Sequence, residues 1–218
     1  MNAFTIEQNI FKCHHPPISV IACSEQQLTL ELIGDFLKSV AAAGSHIGLA
    51  PQYDDKCRLS KLAMATSTQV LLITLLPKSP KKSEKTRVRA VLENVFSSPE
   101  FTVYGFRMDH IAAALYFDHD IHLAVGKHLR SISTRRQLEG LMEVLGGQAM
   151  LNKHEVDNLF KNEETSSNEA KTTALQAWAA YQSTTLPRTT LPVINTLIMD
   201  KQVLIFIYFQ NCRFLIFA

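Results

Sequence analysis

Long apolar runs, closely spaced cysteines and an excess of one charge are all missing from this chain, and each absence excludes something. No stretch approaches the roughly 18 uninterrupted apolar residues that a spanning helix needs, so no membrane partner is expected. The first residues, MNAFTIEQNIFKCHHPP, lack a cationic start followed by an apolar run, so no secretory leader is expected. The 4 cysteines stand at 13, 23, 57 and 212 with no CxxC pair, which reads as free thiols in a reducing compartment. Cys13-His14-His15 resembles a metal fragment. Neighbouring positions seldom converge on one ion, however, and no second cluster has fitting spacing, so no metal is expected there. With a net charge of +2, nothing in bulk pulls the chain toward nucleic acid; a basic surface would have to be local.

What is present suits one α/β domain. The 218 residues are enough for one core, or one core with appendages. Residues 1–17 read as an irregular lead-in ending in Pro16-Pro17. ISVIAC (18–23) is a β-branched apolar run and predicts a buried strand. Ser24 and Gln27 have capping-box spacing before Leu28, Leu32, Ile33, Phe36 and Leu37, which predicts a helix closed near Gly44. HIGLAPQY (46–53), LSKLAMAT (59–66) and QVLLITLL (69–76) predict three strands, the last two a hairpin. A helix from Val88 to Phe96, a strand over 101–106 and a helix over 110–117 follow. Residues 118–133 read as loop, 134–147 as a helix with Thr134 and Gln137 as its capping box, and about 169–183 as a final helix. TTLPRTTLP (184–192) reads as a linker. The atypical apolar tail, 193–218, reads either as an added edge strand or as an aggregation-prone peptide.

Four segments, in order, carry a resemblance: IGLAPQY (47–53), KLAMATSTQVLLITL (61–75), VYGFRMDHIAAAL (103–115) and TTALQAWAAYQS (172–183). The helix over 134–145 with Gly146-Gly147, and Lys153, fit the same pattern. Across 18–183 the chain resembles the 3'–5' exonucleases of the ribonuclease D and Werner-exonuclease type, of the DEDD family. That resemblance implies a ribonuclease-H-like mixed sheet flanked by helices. It also implies hydrolysis of phosphodiester bonds by paired Mg²⁺ or Mn²⁺ ions, held by an Asp and a Glu on the first strand and one Asp on each of two helices. A Tyr one turn before the last Asp orients the water.

Placed residue by residue, the resemblance puts the first-strand Asp at Ala50 and the Glu at Gln52. The middle Asp falls at Ile111, the Tyr at Thr172 and the last Asp at Gln176. Hard divalent cations need anionic oxygens, and Ala, Gln, Ile and Gln supply none. The expectation is therefore a domain without catalysis and without a metal cofactor. It would act by binding RNA or DNA, or by docking a protein partner, in the nucleus or cytoplasm. The alternative is an active Mg²⁺- or Mn²⁺-dependent 3'–5' exonuclease with a displaced carboxylate set, for which Asp109, two residues before Ile111, is the residual carboxylate.

For contact with phosphates, the candidates are Lys78, Lys81, Lys82, Lys85 and Arg87 in the charge-dense loop, with Arg89 beyond it, and Arg130, Arg135 and Arg136 in a second patch. Asp118-His119-Asp120-Ile121-His122 has metal-ligating residue types, yet its plainer reading is a solvated turn with Asp caps. Trp178 is expected in the core.

Overall fold

A computed structural model describes residues 1–6, 16–77, 87–129, 166–184 and 194–198. In chain order the elements are β1 (Asn2–Ile6), β2 (Ile18–Ser24), α1 (Leu30–Ala42), β3 (His46–Tyr53), β4 (Leu59–Ala65), β5 (Gln69–Thr74) and α2 (Arg87–Ser97). They continue with β6 (Thr102–Phe106), α3 (Met108–His119), β7 (Val125–Leu129), α4 (Ser166–Gln182) and β8 (Ile194–Ile198). The strands form one 8-stranded sheet in the order β1-β2-β5-β4-β3-β6-β7-β8. β4 runs antiparallel to both neighbours, whereas β2 with β5, β3 with β6 and β6 with β7 are parallel. The central order β5-β4-β3-β6-β7, with β4 alone reversed, is the ribonuclease-H-like arrangement.

Each face of the sheet has its own core, because successive side chains of a strand point to opposite sides. On β3, Ile47 and Leu49 join α1, α2 and α3 in one buried cluster that includes Phe36, Leu92 and Leu115. Ala50 joins the other, with Ala63, Ala65, Ala174, Ala177 and Trp178. That second face is built from small residues so that α4 can lie close. Gly48 is the limiting case: a Cβ there would run into the carbonyl oxygen of Ala177 and the backbone nitrogen of Tyr181. Two polar tips tie α4 further down. Trp178 Nε1 donates to the Ser67 carbonyl at 2.8 Å, and the Tyr181 hydroxyl to the Ala43 carbonyl at 3.1 Å.

At the opposite core's margin lies a fully buried ion pair. Arg89 grips both oxygens of Glu25, with Nε to Oε1 at 2.8 Å and Nη2 to Oε2 at 3.0 Å. The pair also serves the chain leaving β5. Arg89 Nη2 donates to the Leu76 carbonyl at 2.6 Å, and Leu76 N donates to Glu25 Oε2 at 3.0 Å. Arg89 is thereby a buried structural residue rather than a candidate for phosphate.

Several expectations change. The lead-in is not irregular throughout, since residues 2–6 form a strand antiparallel to β2, with Phe4 and Ile6 on the α4 side. Five residues are too few for periodicity to announce a strand without its partner. Ser24 does not cap a helix. It ends β2, and the Gln27 side chain accepts from its N–H at 3.1 Å within a turn. The cap of α1 is Thr29, whose hydroxyl accepts from Leu32 N at 3.2 Å. The loop expected over 118–133 contains β7, whose mixed VGKHL pattern is specified by β6 on one side and β8 on the other. Residues 194–198 of the tail are that outer strand. The helix expected over 134–147 lies outside the described residues.

Candidate functional site

The resemblance places catalytic groups at the end of β3, the start of α3 and on α4. On β3, Ala50 and Gln52 are two residues apart and so share the face toward α4. Ala50 is 3% exposed and fully enclosed by apolar neighbours. The Gln52 amide donates to Glu169 Oε2 at 2.6 Å. Thr173 donates to the Glu169 carbonyl at 2.8 Å and sits 3.5 Å from Gln52 Oε1. Ser60 fixes the backbone beside them, its hydroxyl donating to the Gln52 carbonyl at 3.0 Å.

Glu169 escaped the sequence reading, which left 152–169 as a polar, aperiodic stretch. Its signal is present, however. It lies seven residues before Gln176, two helical turns, so the two fall on one stripe of α4. Thr172 and Gln176 are half-buried on the same helix.

Ile111 is not brought to this group. It is completely buried with Leu49 and Met108 on the other side of the sheet, its Cδ1 covering Gly105. Asp109 stays at the rim, one third exposed, in the first turn of α3. His110 Nε2 and His128 Nδ1 each stand 3.8 Å from one of its carboxylate oxygens. Arg107, the residue between β6 and α3, is held at φ 56° and ψ 48°, the left-handed region. Its Nη2 is 3.0 Å and 3.2 Å from the two ring nitrogens of His110, a position over the ring rather than along one lone pair. Burial, then the Arg107 charge, hold the His110 pKa below its ordinary value. Tyr53, ending β3, is 40% exposed and lies within electrostatic reach of Arg107, Asp118 and Asp109. Burial of its hydroxyl end pushes its pKa up.

The Asp118–His122 cluster disperses into structural tasks. Asp118 Oδ2 accepts from Leu59 N at 2.8 Å, and His119 Nε2 bonds the Leu59 carbonyl at 2.6 Å, so two side chains clamp the start of β4. Asp120 takes a left-handed conformation at the end of α3. Among the described residues, no group of three or more His, Cys, Asp or Glu is placed to hold a metal ion. Nor is any helix among them long and apolar enough to cross a membrane. Of the basic candidates, Arg87 opens α2 and is exposed. Lys78, Lys81, Lys82, Lys85, Arg130, Arg135 and Arg136 lie outside the described residues.

The donor set does not fit the paired divalent ions that the resemblance implies. Ala50 offers no oxygen, the Gln52 amide is committed to Glu169, and Ile111 is sealed in a core. Of the carboxylates near these positions, Asp54 is held by Arg58 and Asp118 by Leu59 N, and the other two belong to opposite sides of the sheet: Glu169 beside β3 and α4, Asp109 beside α3 and β7.

No family model matches the sequence, and no curated protein does. Among solved structures, the chain is similar to crystals of the EXD2 exonuclease domain. With the domain soaked in Mn, identity is 18% over 76% of this chain and 86% of that one, at a TM-score of 0.41. With the domain soaked in Mn and Mg, the values are 18%, 76%, 89% and 0.41. For another crystal structure of the EXD2 exonuclease domain they are 16%, 75%, 90% and 0.40.

Proposed function

We propose that this chain is a 3'–5' exonuclease-like domain that has given up catalysis and acts by binding, with single-stranded RNA or DNA as its ligand. It needs no metal cofactor and works in the nucleus or cytoplasm as part of RNA or DNA processing. One observation carries the reading. At the end of β3, where hydrolysis by paired ions requires two adjacent carboxylates, an enclosed Ala50 is followed by a Gln52 amide bonded to Glu169 at 2.6 Å. An amide–carboxylate pair satisfies itself. Two carboxylates there would repel each other unless a cation lay between them. Replacing them by Ala50 and Gln52 removes that repulsion, so loss of the ions and gain of stability go together.

The second reading, an active enzyme with displaced ligands, has Asp109 and Glu169 in its favour. The sheet between them counts against it. The full chain incubated with 5'-labelled single-stranded RNA and DNA, in Mg²⁺ and in Mn²⁺, distinguishes the two. Intact substrate is expected, together with binding that weakens as salt rises. Stepwise shortening from the 3' end, stopped by chelator and by Asp109→Asn, would overturn the non-catalytic reading. Intact substrate without any binding would leave docking of a protein partner.

A further inference from the structure

We propose that the carboxyl ends of β3 and β6 hold one unpaired nucleotide of a single strand, its base stacked on Tyr53 and its phosphate met by Arg107. The inference deepens the binding reading above and rests on it. Topology is the first support. After β3 the chain turns back through β4 and β5 on one side, and it returns as β6 on the other. Ligands of α/β sheets sit outside the carboxyl ends of strands where the strand order reverses in this way.

Both residues stand at these carboxyl ends. Tyr53 is the last residue of β3, and Arg107 immediately follows β6, its parallel neighbour. Tyr53 leaves 40% of its surface in water although its hydroxyl end is buried, whereas Trp178 and Tyr181, which hold α4 against the sheet, are shut in the core. An exposed ring gives a sequence-tolerant platform to an unstacked base. A duplex offers it no base face, because its bases are stacked on one another.

Arg107 adds the third support. A residue with a Cβ enters the left-handed region at a cost, and Gly would occupy this position more easily. No side-chain cap bond offsets that cost here. The guanidinium lies against the His110 ring, 3.0 Å and 3.2 Å from its nitrogens, beside the carboxyl end of β6. A planar guanidinium held there has donors left for a phosphate. The Asp109 carboxylate is flanked by His110 and His128, so imidazoles lie against it.

The test is fluorescence anisotropy of the full chain with 3'-labelled single strands of RNA and DNA and with a blunt duplex, at two salt concentrations. Arg107→Gly suits the backbone, so it removes the guanidinium without straining the fold. It is expected to weaken single-strand binding about tenfold and to flatten the salt dependence, with no fall in melting temperature. Tyr53→Ala is expected to weaken binding about tenfold, and Tyr53→Phe to preserve it. The inference is overturned if the unaltered chain binds single strands while both losses leave affinity unchanged; the binding reading then still stands. Equal affinity for the blunt duplex overturns it as well. If the unaltered chain binds none of the probes, the inference and the binding reading fall together.

Discussion

Two polar centres of this molecule, one buried and one half-buried, solve the same problem differently. At the junction of β2, β5 and α2, the chain keeps a full charge pair, Glu25 with Arg89, and surrounds it with backbone partners. At the end of β3, it keeps one carboxylate, Glu169, and faces it with a neutral amide. The first centre holds strand ends to a helix and has both charges because each satisfies the other. The second lies where the sequence resemblance would place several like charges, and like charges at hydrogen-bond distance need a cation. Among the described residues, the buried charges of Glu25 and Arg89 persist where protein groups alone balance them.

The largest expected effect comes from unbalancing the first centre. Arg89→Met leaves Glu25 buried without its cation and is expected to cost about 3–5 kcal/mol, read from the denaturant midpoint. The double change Glu25→Leu with Arg89→Met should recover a large part of that loss. If the single change is neutral, the contrast between the two centres collapses.

Gln52→Glu attacks the second centre from the other direction, by setting a second carboxylate against Glu169. Stability at neutral pH is expected to fall by about 1–2 kcal/mol, and to return as pH drops and one carboxyl takes a proton. Thermal melts at two pH values measure this. A variant as stable as the parent at neutral pH would show that Glu169 is free to swing away.

The smallest effect concerns His119, whose carbonyl faces Arg89 at 3.5 Å. Its Nε2 serves Leu59, while its Nδ1 is buried without a hydrogen-bond partner among the described residues. Burial foremost, with Arg89 adding, holds its pKa below the ordinary 6.5. The unfolded chain therefore binds the proton more readily than the folded one. The stability contribution is complete above pH 6.5 and is lost as pH falls from there through the folded value. His119→Gln should flatten the stability profile in that window.

Much of the architecture was readable in advance because it is locally encoded. The apolar run at 47–50, the Thr66-Ser67 turn between two apolar runs, and the apolar run inside α3 each announce an element without outside help. β7 and β1 did not announce themselves, since VGKHL and NAFTI are strands only through their partners. The helix cap went to Thr29 because Ser24 and Gln27 were already committed to a turn at the end of β2. In the candidate site, the substitutions at 50 and 52 could be read directly. The role of Glu169 could not, because its partner is 117 positions away along the chain. Ile111 shows the converse: a position counted along a motif does not say toward which face of the sheet its side chain turns.

Gly48 leaves α4 no freedom to slide, because helix backbone meets strand backbone there. Side chains at 50, 52, 169 and 176 are consequently displayed at fixed offsets, whatever their identity. A change of residue at any of these four positions therefore alters the chemistry shown between β3 and α4 while the close backbone contact that spaces them stays in place.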